Sequence, residues 1–269
     1  IFRRVRCPAG VAVTMTETTM EALAAQQALV LGVLGWLVAT GLALVLAAHW
    51  RRGVRYSTRG WLALAALPAL GLWAVLAQQV ATQGPLTRWD AALTQALHTQ
   101  VSTAWLHWAT WPTRAGDPPV VVALTALVAL GLWWRKHHLL ALAWVAAVVG
   151  NALLNKGLKH LFERDRPAHW HGVVTETGYS FPSGHASGTL ATYGMLAYLV
   201  LRLAPPLWHV PALLGAAWLA WMGACSRVLL QVHYASDVLA GLASGSVWLG
   251  LCIVGLRYAH APQALPVRA

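Results

Sequence analysis

Three polar stretches interrupt the apolar second half of this 269-residue chain, and together they hold the residue types that phosphoryl transfer needs. KHLFERDRP (159–167) carries Lys159, Arg166 and Pro167; FPSGHASG (181–188) carries Pro182, Ser183, Gly184 and His185. SRVLLQVHYASD (226–237) carries Ser226, Arg227, His233 and Asp237. The cations Lys159, Arg166 and Arg227, with the backbone amides of a helix beginning at Ser183-Gly184, suit the non-bridging oxygens of a phosphate. His233 and Asp237 lie four apart, so on a helix they share a face and can hydrogen-bond. A neutral imidazole whose far nitrogen is held by a carboxylate is a nucleophile, and a second imidazole can protonate a departing oxygen. The parts describe phosphoryl transfer without a metal ion.

Each group alone also has a plain structural use. Lys159 and Arg166 can be interfacial cations snorkelling from helix ends. Ser183 can cap a helix after a loop closed by Pro182, with His185 directed at headgroups. His233 and Asp237 can be an ordinary intrahelical pair. What favours chemistry is the conjunction, because ionisable groups beside membrane helices are costly and need a reason.

The elements that must carry these groups are membrane helices. Hydrophobic residues make up 58% of the chain and charged residues 10%, against roughly 25% charged in an ordinary soluble domain. The apolar residues fall in continuous blocks near 28–49, 61–83, 119–134, 139–157, 185–203, 208–228 and 238–257. Blocks of about 20 residues cross a hydrocarbon core as helices, and they lack the alternation of a membrane barrel. Between the second and third, Trp89, Leu93, Leu97, Val101, Trp105 and Trp108 recur at helical spacing with Arg88, Asp90, Gln95, His98 and Gln100 among them. That predicts an amphipathic interfacial helix over about 86–110. The expected organisation is an N-terminal tail (1–27, with Met15 or Met20 as an alternative start) and an extra transmembrane helix with a basic loop (28–60). A membrane domain (61–257) and a C-terminal tail (258–269) follow.

The net charge of +11 is carried largely in short loops, which points to topology and anionic lipid rather than nucleic acid. RRGVRYSTR, RKHH, Arg202 and the tail after Arg257 fall on one side, expected to be cytoplasmic, and the three polar stretches fall on the other. Lys156, Lys159, Arg164 and Arg166 count against that orientation unless some are there for chemistry. Cys7, Cys225 and Cys252 suggest neither a disulfide framework nor a metal site. There is no Gly-rich nucleotide loop, no zinc spacing and no carboxylate cluster for magnesium. No cofactor and no obligate protein partner is inferred. Glu163, Arg164 and Asp165 are expected to pair among themselves in a solvated loop. His160, His169 and His171 match no motif. Gly241 and Gly245 form a small-xxx-small pair expected to pack inside the bundle.

Lys159-x6-Arg166-Pro167, Pro182-Ser183-Gly184-His185 and Ser226-Arg227-x5-His233-x3-Asp237 resemble the three-part signature of the type-2 phosphatidic acid phosphatase family, complete, in order and with its internal spacings. The site also resembles those of vanadium haloperoxidases and glucose-6-phosphatase. The resemblance implies an all-α, polytopic membrane helical bundle with a six-helix phosphatase core from about 61 to 257, to which the block at 28–49 is an addition. It implies that His233 attacks phosphorus to form a phosphohistidine, that Asp237 orients it, and that His185 is the acid and then the base. Lys159, Arg166, Arg227, Ser183 and the Gly184 amide would bind phosphate, with Pro167, Pro182 and Ser226 in support. The expected substrate is a lipid phosphate met at the periplasmic face of a bacterial inner membrane, undecaprenyl diphosphate first, then phosphatidic acid or phosphatidylglycerophosphate. A phosphotransferase using the same site, and a non-catalytic lipid-phosphate binder or transporter, are the alternatives.

Overall fold

The structure, a computed structural model, describes residues 58–168 and 173–259. The first apolar block, the alternative starts, His169, His171 and residues 260–269 of the C-terminal tail lie outside the described residues. Helix α1 (Thr58–Ala81) is followed by α2 (Pro85–Gln100), α3 (Thr103–Thr113) and a 3-10 turn, Arg114–Gly116. Then come α4 (Pro118–Trp134), α5 (His138–Phe162), α6 (Gly184–Leu203), α7 (His209–Leu229) and α8 (Ala235–Ala259). The all-helical bundle matches the expected spans closely, because long apolar runs leave the backbone no partner but its own helix.

Their ends follow local signals. Proline opens α2 and α4, where its missing N–H is not needed. Ser183 caps α6, its Oγ accepting the Ala186 N–H at 3.4 Å. Glu163 takes a left-handed conformation, φ 45°, and stops α5 four residues after Lys159.

The stretch expected as one interfacial helix forms two. The backbone turns extended at Val101 and Ser102, so the faces on either side diverge. Asp90, Leu93 and Leu97 turn inward, whereas Trp105, Trp108 and Trp111 stay exposed on α3, as expected of side chains at a membrane boundary.

Helix α6 lies at the centre, packed on α5, α7 and α8. Among the described residues, four helical stretches are by composition long and apolar enough to cross a membrane, and α6 is not one of them. Its buried Ser187, Thr189 and Thr192 explain why: a helix surrounded by protein need not match lipid. The outer helices do, with Leu127, Leu130, Leu142 and Leu153 exposed. Trp144, Met195, Tyr198 and Leu256 form an apolar core toward the C-terminal end of α6. Its N-terminal end, with the ends of α5, α7 and α8, gathers the polar groups.

Gly241 and Gly245 let α8 reach that end. A Cβ on Gly241 would lie 2.5 Å from the Ser183 carbonyl oxygen, and one on Gly245 would lie 2.9 Å from that of Ser187. The pair therefore packs inside the bundle, directly behind the PSGH turn. Gly241→Ala is expected to destabilise the detergent-solubilised protein by about 1–3 kcal/mol through overpacking. Gly255→Ala, on the same helix with nothing within 4 Å, should leave the melting temperature unchanged or slightly raised; equal effects of the two would refute the close packing.

Candidate active site

The three motifs converge at one end of the bundle. Lys159 sits in the last turn of α5, and its Nζ donates to the Tyr179 carbonyl at 2.6 Å. Arg166, in the following loop, donates to the carbonyls of Gly178 at 2.9 Å, Thr177 at 3.2 Å and Val232 at 2.8 Å. Its Nη1 also lies 3.2 Å from His233 Nε2. Since a guanidinium has only donors, that contact meets the Nε2 lone pair and leaves the ring proton on Nδ1.

His233 is buried in the link between α7 and α8, so it does not share a helix with Asp237, which lies in the first turn of α8. The carboxylate caps that helix by accepting the Tyr234 N–H at 2.9 Å. Nδ1 of His233 is 3.6 Å from Asp237 Oδ2, too far for a hydrogen bond. The Ser180 hydroxyl closes the gap: Oγ is 3.2 Å from Nδ1 and donates to the carboxylate. The i, i+4 spacing suggested a direct contact, whereas the structure inserts a relay.

Arg227, in the last turn of α7 and buried, donates to Thr113 Oγ1 at 2.8 Å and to the Glu176 carboxylate. The other Glu176 oxygen is 3.9 Å from Arg166 Nη2, so one acid ties two of the predicted phosphate cations together. Burial works against its charge, but Arg227 and the neighbouring positive groups outweigh it, and the Glu176 carboxyl is held below its ordinary value. His185, one residue into α6, has its Nε2 3.2 Å from Asp117 Oδ1. Gly116 permits that approach, since a Cβ there would stand 2.9 Å from the His185 ring. Gly184 is the first residue of α6, at the positive end of its dipole. Ser226 is buried, with its hydroxyl on the Gly223 carbonyl at 2.7 Å. Pro167 and Pro182 are buried, and the Pro182 carbonyl accepts from Asn155 at 3.4 Å.

Glu163 and Asp165 are exposed as expected of a solvated loop, but Arg164 between them is not. Arg164 turns inward, with Nη1 2.6 Å from Asp237 Oδ1 and Nη2 2.8 Å from Asp90 Oδ2. It does not pair with its neighbours, and Glu163 instead accepts from the Tyr179 hydroxyl at 3.0 Å. Burial opposes the charge on Arg164, yet the carboxylates of Asp237 and Asp90 prevail and hold its proton more tightly than usual. Asp90, Asp117, Arg164, Glu176 and Ser180 are the site groups that no motif marked. A faint signal existed, because the chain has only eight acids, and an acid in so apolar a chain is costly without a partner.

These ends bring two histidines and several cations together on a membrane helical bundle. Residues 138–261 match the PAP2 superfamily, so the chain carries a PAP2 superfamily domain over that stretch. Phosphatidylglycerophosphatase B of Bacillus subtilis is 30% identical over 49% of this chain and 66% of its own length. Lipid A 1-phosphatase of Rhizobium etli is 33% identical over 49% of this chain and 61% of its own length. The matched stretch thus spans just under two thirds of these relatives. The crystal structure of a transmembrane PAP2-type phosphatidylglycerolphosphate phosphatase from Bacillus subtilis superposes with a TM-score of 0.66 at 26% identity, covering 74% of this chain and 98% of that one.

Burial pushes the His233 imidazole down to about 3 from an ordinary 6.5, against the opposing pull of Asp237. The unfolded chain therefore accepts a proton below about pH 6.5 that the folded protein refuses. The stability due to the neutral ring is present above that pH and is lost as pH falls toward 3. The melting temperature should drop between about pH 6.5 and about pH 4.5, and His233→Asn should flatten the drop; parallel profiles would contradict a neutral buried ring.

Proposed function

We propose that the protein is a membrane-embedded phosphatase that hydrolyses a lipid phosphate through a phosphohistidine at His233, without a metal ion. The observation that carries the reading is the buried His233, with its Nδ1 proton held by Ser180 and Asp237 and its Nε2 lone pair facing Arg166 at 3.2 Å. In the first step Nε2 attacks phosphorus in line, and the bond from phosphorus to the lipid oxygen breaks. His185, held by Asp117, gives that oxygen its proton. His185 then takes a proton from water, whose oxygen attacks the phosphohistidine, and cleavage of the P–N bond releases phosphate and restores neutral His233. Lys159, Arg166, Arg227, Ser183 and the Gly184 amide hold the non-bridging oxygens as charge builds in the transition state. Glu176 gives up its hold on Arg227 and Arg166 when phosphate enters.

A cavity of about 720 Å³ opens beside Arg227 and is lined by His107, Thr110, Thr113, Arg114, Asp117 and Glu176. Asp117, the partner of the proposed acid, forms part of its wall, so the leaving group departs into it. Its mixture of donors and acceptors suits a hydroxylated headgroup, with Arg114 available to a second anionic group. That chemistry, and the names of the relatives, move phosphatidylglycerophosphate ahead of undecaprenyl diphosphate, the first expectation from sequence, with phosphatidic acid next. Arg135, Lys136 and Arg202 lie at the ends opposite the site, which supports a periplasmic site in a bacterial inner membrane under the positive-inside rule.

Phosphate release from the three lipids in excess chelator, by purified protein and by His233→Ala, tests the reading. Chelator-resistant release from the wild type and none from the variant is expected; release that requires magnesium, or a fully active variant, would sink it. Arg114→Ala should raise KM for phosphatidylglycerophosphate about tenfold, the loss of one charged hydrogen bond, and leave phosphatidic acid nearly unaffected. Equal changes for both lipids would remove Arg114 from the headgroup subsite.

A further inference from the structure

We infer that Arg164 and Asp90 are a positioning pair for the nucleophile: a buried Asp90–Arg164–Asp237 chain fixes the carboxylate that, through Ser180, orients His233. The inference rests on the reading of His233 as nucleophile. One guanidinium spans both acids, at 2.6 Å to Asp237 Oδ1 and 2.8 Å to Asp90 Oδ2, and also donates to Ser236 Oγ at 2.8 Å. Asp90 completes the ring by accepting the Ser236 N–H at 3.1 Å and the Ser236 hydroxyl. Both acids have no exposed surface, and Arg164 is stacked on Tyr234 with its Cζ 4.2 Å from the ring centroid. The chain therefore has little freedom to reorient.

The division of labour on Asp237 is what makes this positioning rather than simple cross-linking. Its Oδ1 is taken by Arg164, which leaves Oδ2 for Ser180 and the Tyr234 N–H. A carboxylate without the first contact could rotate and release the second, and His233 would lose its orientation by the same motion. A tie between helices needs no ions, since α1 meets α8 through apolar side chains such as Leu76, Ala77 and Ala240. Buried ion pairs are a poor way to gain stability compared with apolar contacts. Here the ionic tie ends on the one carboxylate whose angle matters to the reaction. Helix α2, lying against the end of the bundle, becomes a support of the catalytic centre through Asp90.

Single-turnover labelling with radioactive phosphatidylglycerophosphate in detergent micelles, quenched in alkali to preserve phosphohistidine, separates rate from amplitude. Asp90→Asn keeps the side-chain shape and is expected to slow labelling about tenfold or more, as loss of a supporting contact does in other sites. The labelled fraction of folded protein and KM should stay near wild type. Arg164→Lys should recover part of the rate lost in Arg164→Ala, and adding Asp90→Asn to Arg164→Ala should cost little more. A merely structural role predicts the opposite pattern, a smaller labelled fraction turning over at the wild-type rate, and that result would overturn the inference. Should Arg164→Ala fail to fold, the Asp90→Asn rate still decides the matter. Wild-type protein that never labels would instead refute the nucleophile assignment, and the positioning pair with it.

Discussion

Asp237 has no exposed surface, and the site is assembled around satisfying it. Its carboxylate takes Arg164 from the segment after α5, Ser180 from the approach to α6 and the Tyr234 amide from the start of α8. Its backbone carbonyl accepts the Ser183 N–H at 2.9 Å. A charge so thoroughly removed from water is stable only if every partner arrives together. The same requirement that closes the bundle at this end brings His233 and the PSGH turn into register.

The surroundings are arranged to permit that concentration of charge. Lipid-facing leucines on the outer helices carry the cost of the membrane setting, so α6 can afford serine, threonine and glycine contacts at the centre. Gly241 and Gly245 bring the α8 backbone against Ser183 and Ser187. Asn155, from α5, donates to the Pro182 carbonyl and the Ser187 hydroxyl. The polar end is therefore held together by small residues and buried amides, while the opposite end holds the bulkier apolar core around Trp144.

Charge is also balanced around Arg227 and Arg166. Arg227 and Arg166 would repel across a buried space, and Glu176 lies between them. Asp117 similarly faces His185. Two acids thus moderate a cluster of cations, and the cavity beside them remains polar rather than strongly positive.

Helix positions and motif membership were legible in the sequence because both are local. Apolar blocks of membrane length dictate helices, and the expected spans fall on the helices observed in the described region. The spacing of Ser226, Arg227, His233 and Asp237 marks them as candidate site groups without reference to the fold. Partnerships across the chain were not legible. Asp90 and Arg164 stand 74 positions apart and read as interfacial and solvated residues, since helical periodicity says nothing of what packs above a given face. The break at Val101–Ser102, which turns Asp90 inward, and the Ser180 hydroxyl between His233 and Asp237 were equally invisible. By itself the sequence determined the helices and the list of candidate polar groups, through hydrophobicity and spacing. Only the tertiary structure decided which buried charge meets which, because that choice depends on how the ends of separate helices come together.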